Sequence, residues 1–171
     1  SVYHPHYQII GIPVIPPDIS HSLHGSAEYF KKHKKCIHCF MLEVEKNHKK
    51  RIIAENKGAI AFVPSASRQS FEVRIFPKEH LPYFEETKEK QMREVVEVLQ
   101  EVLGKLKTKL KDPDYNFFIH TAPVKDRGRY GHYHWHIEIL PKISIWAGFE
   151  LGTGIDITVV DPDEAASLLA H

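Results

Sequence analysis

The chain has 171 residues, of which 42% are apolar and 26% charged, and its formal net charge is +1. This length suits one domain with a real core, or a domain plus an appendage, and the composition is that of a folded soluble protein. A charge this close to zero argues against general nucleic-acid affinity, and no apolar run approaches the roughly 18 residues that a membrane span needs. The only cysteines, Cys36 and Cys39, exclude a disulfide framework and point to the cytoplasm.

In chain order, Ser1 to Ile15 (SVYHPHYQIIGIPVI) reads as a strand carrying polar chemistry, with nothing before it to pair with or cover it. Residues 18–35, after Pro16 and Pro17, suit an irregular or short helical linker, and the basic run Lys31, Lys32, Lys34 and Lys35 reads as a solvated loop. Arg51–Glu55, Ala59–Val63 and Phe71–Phe76 are rich in Ile, Val and Phe and are separated by turn signals, which predicts successive antiparallel strands. Met92, Val95, Val96, Leu99, Leu103, Leu106 and Leu110 recur at three and four, predicting one long helix that Pro113 stops. Tyr115–His120 and His132–Leu140 read as two further strands. Trp146 to Val160 reads as a glycine-broken loop and then a strand, followed by a helical turn from Asp163. The fold class is α+β, with an antiparallel sheet of about five or more strands packed against one long α-helix.

Two histidine clusters carry the chemistry. In YGHYHWHIEIL (130–140), a strand would place His132, His134, His136 and Glu138 on one face and Tyr133, Trp135, Ile137 and Ile139 on the other. HPHYQ (4–8) and HWHIE (134–138) are two copies of H-x-H-x-[Q/E], offset by 130 residues. The last position separates them. Gln8 offers a neutral amide donor to phosphoryl oxygens, whereas the Glu138 carboxylate would repel them. His6 is therefore the candidate nucleophile, attacking an α-phosphorus to form a covalent nucleotidyl intermediate. Cys36-Ile37-His38-Cys39 is a weak metal signal by itself. It becomes a tetrahedral zinc candidate if two imidazoles join, and His80 and His134 are favoured, with His33 and His48 as alternatives.

With these residues in view, the chain resembles the galactose-1-phosphate uridylyltransferase family of the histidine-triad superfamily. The resemblance rests on SVYHPHYQIIGIPVIPP, CIHC, RIIAENKGAIAFVPSASRQSFEVRIFPKEH, YNFFIHTAP, HYHWHIEILPKI and AGFELGTGIDITVVDPDEAA. Family members consist of two fused repeats. The resemblance thus divides the chain into residues 1–17, the active strand of a first repeat, the linker 18–35, and 36–171, a complete second repeat with a substrate-binding tail. It implies that His6 carries the uridylyl group, that Gln8 contacts phosphate with His4 beside it, and that Ala147, Gly148, Phe149 and Glu150 hold the sugar phosphate. It implies zinc at Cys36, Cys39, His80 and His134, with iron as the alternative metal through histidines matching His120, His134 and His136. Tyr7 stands where the family often has a small residue.

The substrates implied are a nucleotide sugar and a hexose 1-phosphate, exchanged by a uridylyltransferase. A nucleotide-sugar phosphorylase of the same family, transferring adenylyl to phosphate, is the alternative, and a non-catalytic zinc-stabilised binding module is the reading from another class. A homodimer, or association with the missing repeat, should cover exposed strand edges. Without the first repeat's nucleotide pocket, this chain alone is expected to have little or no activity.

Overall fold

The computed structural model describes residues 6, 8–10, 12–143 and 147–171. Two helices come first, α1 (Pro17–His33) and α2 (Ile37–His48). The strands β1 (Ile52–Glu55), β2 (Ala59–Phe62) and β3 (Val73–Pro77) follow, and then the long helix α3 (Glu89–Lys109). After it come β4 (Tyr115–His120), β5 (His136–Pro141), the short helix α4 (Gly148–Thr153) and the terminal helix α5 (Pro162–Ala170). The five strands form one sheet, fully antiparallel, in the order β1-β2-β3-β5-β4.

The β1–β2 turn forms because Asn56 Oδ1 accepts from the backbone N–H groups of Gly58 and Ala59, at 3.0 and 2.9 Å. A Cβ at Gly58 would lie 1.8 Å from the Glu94 carboxylate of α3, so a larger residue there would displace that side chain. The two faces of the sheet are covered differently. On one face Ala59, Ala61, Val73, Ile75, Ile137 and Ile139 meet Val95, Val98, Val102 and Leu106 of α3, with Ala165, Ala166 and Leu169 of α5 completing the main core. On the other, Ile60, Phe62 and Phe76 meet Leu42 of α2. Arg51 ties α2 to α5, donating to Glu45 Oε1 at 2.8 Å and to Asp163 Oδ1 at 2.9 Å.

Trp135 is fully buried in the main core, edge-on to Phe84 with ring centroids 5.1 Å apart. Trp135→Ala removes the largest core side chain and is expected to cost about 3–5 kcal/mol, measured as a lower denaturant midpoint with unchanged slope.

Several expectations need correction. The linker at 18–35, expected to be irregular or a short helix, lies mostly in a longer one: α1 runs for 17 residues, with Leu23 and Ser26 buried. Of the residues described between 6 and 16, none lies in a strand. Cys36-Ile37-His38-Cys39 is no loop: Cys36 is the N-cap of α2 and the rest begin the helix. The last strand starts at His136 rather than His132. No strand forms between 147 and 160 among the described residues; Gly148–Thr153 is helical instead. In the long helix the stripe is centred on Val95, Val98, Val102 and Leu106, while Val96 is exposed.

Candidate metal centre and histidine strand

The start of α2, the turn that follows β3 and the approach to β5 converge on one point. Cys36, Cys39, His80 and His134 each bring a ligand atom within 4.8 Å of the other three. Cys39 Sγ lies 3.2 Å from His80 Nδ1 and 3.6 Å from His134 Nδ1. In a tetrahedral zinc site, Zn–S and Zn–N bonds of about 2.3 and 2.0–2.1 Å put sulfur and nitrogen about 3.6 Å apart, so the spacing fits. His80 is held in the right orientation, because its Nε2 donates to the Gly131 carbonyl at 2.9 Å and leaves Nδ1 facing the sulfurs. The thiols behave as a pair in need of a cation. Hydrogen bonding from Cys39, helped by His134 and His80, holds the Cys36 thiol far below its ordinary range, and the neighbouring Cys36 and burial push Cys39 far above it. Bonding to Cys36 likewise raises His80. Placement at the N-terminus of α2 favours thiolate further. These residues would hold zinc as a closed four-ligand site whose chemistry is structural.

A second group, His120, His136 and Glu138, lies on the adjoining face of the sheet, with ligand atoms also within 4.8 Å of one another. His120 and His136 stack with centroids 4.8 Å apart, and His136 stacks in turn on Phe76 at 4.6 Å. His136 Nδ1 donates to the His134 carbonyl at 3.1 Å, leaving Nε2 3.6 Å from Glu138 Oε1. Burial keeps His136 neutral, with its pKa lowered to about 4. Burial opposes ionisation of Glu138, but His120, His136 and Arg74 outweigh it and hold the carboxyl below its usual range. Arg74 Nε sits 3.1 Å from Glu138 Oε1 and supplies a fixed internal cation. The structure thus gives His134 to the thiols and leaves His120 and His136 with a carboxylate, so the histidine set expected for iron is split between two groups.

His132 joins neither group; it lies between Phe30 and Tyr130, with ring centroids 6.1 and 6.3 Å away. His38, in the first turn of α2, is buried, with Nε2 3.4 Å from Ser26 Oγ and its ring 5.2 Å from that of His136. Burial, with His136 next, lowers its pKa to about 3. Sequence reasoning also missed the Glu72–Arg74–Glu138 chain. Its signal was present: Glu72 and Arg74 alternate with Val73 and Ile75 in a strand whose other residues are apolar.

His6 and Gln8 belong to neither of these groups. Both are exposed, and His4 lies outside the described residues. Ala147, Gly148 and Phe149 are exposed and Glu150 is half-buried, at the start of α4, where Glu150 Oε2 accepts from the Ala147 N–H at 3.1 Å.

The family model for the HIT domain matches residues 45–142, spanning β1 to β5 and the histidine strand. The chain belongs to the HIT domain family. Among curated relatives, ADP-glucose phosphorylase from Arabidopsis thaliana is 34% identical over 170 residues, covering 99% of this chain and 47% of that protein. Galactose-1-phosphate uridylyltransferase from Thermotoga maritima is 30% identical over 177 residues, covering 99% of this chain and 55% of that one. A solved uridylyltransferase mutant superposes with a TM-score of 0.85 at 31% identity, over 93% of this chain and 54% of that chain. This HIT chain therefore spans about half the length of the curated relatives it matches. Its homologues are nucleotidyl-transferring enzymes, as the resemblance implied, and its sheet and helices match their fold.

Proposed function

We propose that this HIT chain is the second half of a nucleotidyltransferase of the hexose-1-phosphate uridylyltransferase type, together with the segment that carries the nucleophile. The observation that carries this reading is the extent of the similarity, which at 30–34% identity runs over 99% of the chain and so includes both HPHYQ and AGFELGTG. In the first displacement a His6 ring nitrogen attacks the α-phosphorus of UDP-glucose, and the bond to the leaving glucose 1-phosphate breaks. Galactose 1-phosphate then attacks the uridylyl-histidine, forming UDP-galactose and freeing the imidazole. Gln8 donates from its amide to a phosphoryl oxygen, with His4 beside it, and the Ala147–Glu150 turn holds the sugar phosphate, Glu150 accepting from sugar hydroxyls.

Zinc at Cys36, Cys39, His80 and His134 holds α2 against the sheet and takes no part in transfer. The sheet edge at β4 exposes Tyr115, Phe118 and Ile119, which suits pairing with a further HIT unit, either a second copy or another half. Free thiols at Cys36 and Cys39 suit a reducing cytoplasm. No helix among the described residues is long and apolar enough to cross a membrane.

The relative with the higher identity supports a second reading, in which ADP-glucose is the nucleotide sugar and inorganic phosphate the acceptor. Acceptor profiling of the chain joined to a first repeat separates the two. With UDP-glucose as donor, galactose 1-phosphate should draw the nucleotidyl group and inorganic phosphate should not. ADP-glucose consumption that depends on phosphate would replace the first reading by the second.

A further inference from the structure

Arg68 lies in the loop after β2, where three separate segments meet. Its Nε donates to Asp156 Oδ2 at 3.0 Å and its Nη1 to Asp18 Oδ2 at 3.2 Å. Its own backbone N–H donates to Glu72 Oε2 at 2.6 Å. Glu72 is fully buried, and its other oxygen accepts from Arg74 Nε at 2.8 Å. The same Nε lies 3.1 Å from Glu138 on the histidine strand. A continuous chain of hydrogen bonds and ion pairs thus runs from β5 through β3 and the loop to Asp156.

Asp156 stands two residues beyond Gly154, which ends α4 in the left-handed conformation at φ 68°. Helix α4 buries none of its own side chains, and Phe149 and Leu151 are exposed. A six-residue helix with no buried face cannot fix its own position. Its placement falls to the tethers that follow it, Asp156 on Arg68 and Thr158, whose Oγ1 lies 3.4 Å from Ser70 Oγ in the same loop. We infer that Arg68 is a positioning residue: by gripping Asp156 it sets where the Ala147–Glu150 turn is held, and buried Glu72 fixes Arg68 in turn. The functional side of this inference rests on the assignment of that turn to the sugar phosphate.

Hydrogen exchange on the full chain tests the tether. Arg68→Met and, separately, the near-isosteric Asp156→Asn should each speed exchange of the amides between 150 and 158 by about fivefold, with β3 and β5 unchanged. Arg68→Lys should restore part of the protection. Because Asp156→Asn leaves the buried carboxylates untouched, it decides the matter even if Arg68→Met loosens the whole fold, and unchanged exchange in that variant overturns the inference. Titration with galactose 1-phosphate tests the functional side. Arg68→Met should weaken binding, but it should add little once Glu150→Gln is present, since both act through one turn. Fully additive losses would mean that Arg68 acts on stability alone, against the inference. A wild-type chain that binds no galactose 1-phosphate would remove the sugar-phosphate assignment, while the exchange measurements would still decide the tether.

Discussion

Removal of metal from Cys36, Cys39, His80 and His134 is expected to damage the fold more than any other single treatment. The four donors come from the start of α2, from the turn that follows β3, and from the approach to β5. Without a cation, one thiolate beside a second thiol and two imidazoles leaves buried charge uncompensated; with zinc, both thiolates are neutralised and three segments are pinned together. The purified protein should contain one zinc per chain. Replacing a single ligand, Cys39→Ser, should cost about 4 kcal/mol or more, read as a fall of about 10 °C in Tm. Strong chelation of the wild type should give at least the same fall, reversed by added zinc. A chain that purifies without metal and melts at the same temperature with and without chelator would end the zinc proposal. Iron in place of zinc would change the ion but keep the site.

The second large effect is on chemistry. His6→Asn keeps a side chain of similar size that can still hydrogen-bond, but it has no nitrogen able to form the phosphoramidate. With the chain joined to a first repeat, transfer from UDP-glucose should fall by about 10⁴-fold or more, and the covalent label from the α-phosphate should vanish. Undiminished transfer would favour the binding-module reading with a vestigial strand. Gln8→Glu provides a finer test, because it converts the active copy to the pattern of His136 and Glu138. An added carboxylate beside an anionic phosphoryl group should slow formation of the intermediate by about 10²-fold, while His6 itself is intact. If Gln8→Glu were as active as wild type, the charge argument separating the two copies would fail.

Much of the fold could be read directly. The strands β1, β2, β3 and β4 and the long helix followed from β-branched runs, turn residues and the three–four apolar repeat, because these patterns report burial on one face. The metal donors were also legible: C-x-x-C fixes two ligands locally, and the demand for two imidazoles narrows the choice to a few histidines. Helix α1 was not legible. It has Pro16 rather than a side-chain cap at its start, it ends on Lys34 in the left-handed conformation where glycine would be expected, and it buries only Leu23 and Ser26. The signals it does carry, Pro17 and Asp18 in the first turn and Lys31 and Lys32 in the last, mark its ends without a buried stripe to show a helix between them. The strand expected near residues 155–160 failed for a different reason. Ile155, Ile157 and Val159 alternate as a strand should, yet they are exposed and join no strand of the sheet.

The sequence by itself determined which residue types could do chemistry: histidines in H-x-H pairs, a glutamine that distinguishes one pair from the other, and two thiols three apart. Local spacing is enough for that, since alternation along a strand or the first turn of a helix decides which side chains can act together. Only the tertiary structure decided the allocation. In YGHYHWHIEIL, three histidines that look equivalent on paper go to three surroundings: His132 between aromatic rings, His134 with the thiols, His136 with His120 and Glu138. The reason is long-range. His80, His120, Glu72 and Arg74 come from other strands and loops, and it is their approach across the sheet that gives each histidine its partner. The same holds for Arg68, an unremarkable loop residue in the sequence, which the folded chain places between a buried carboxylate and the tail that follows α4.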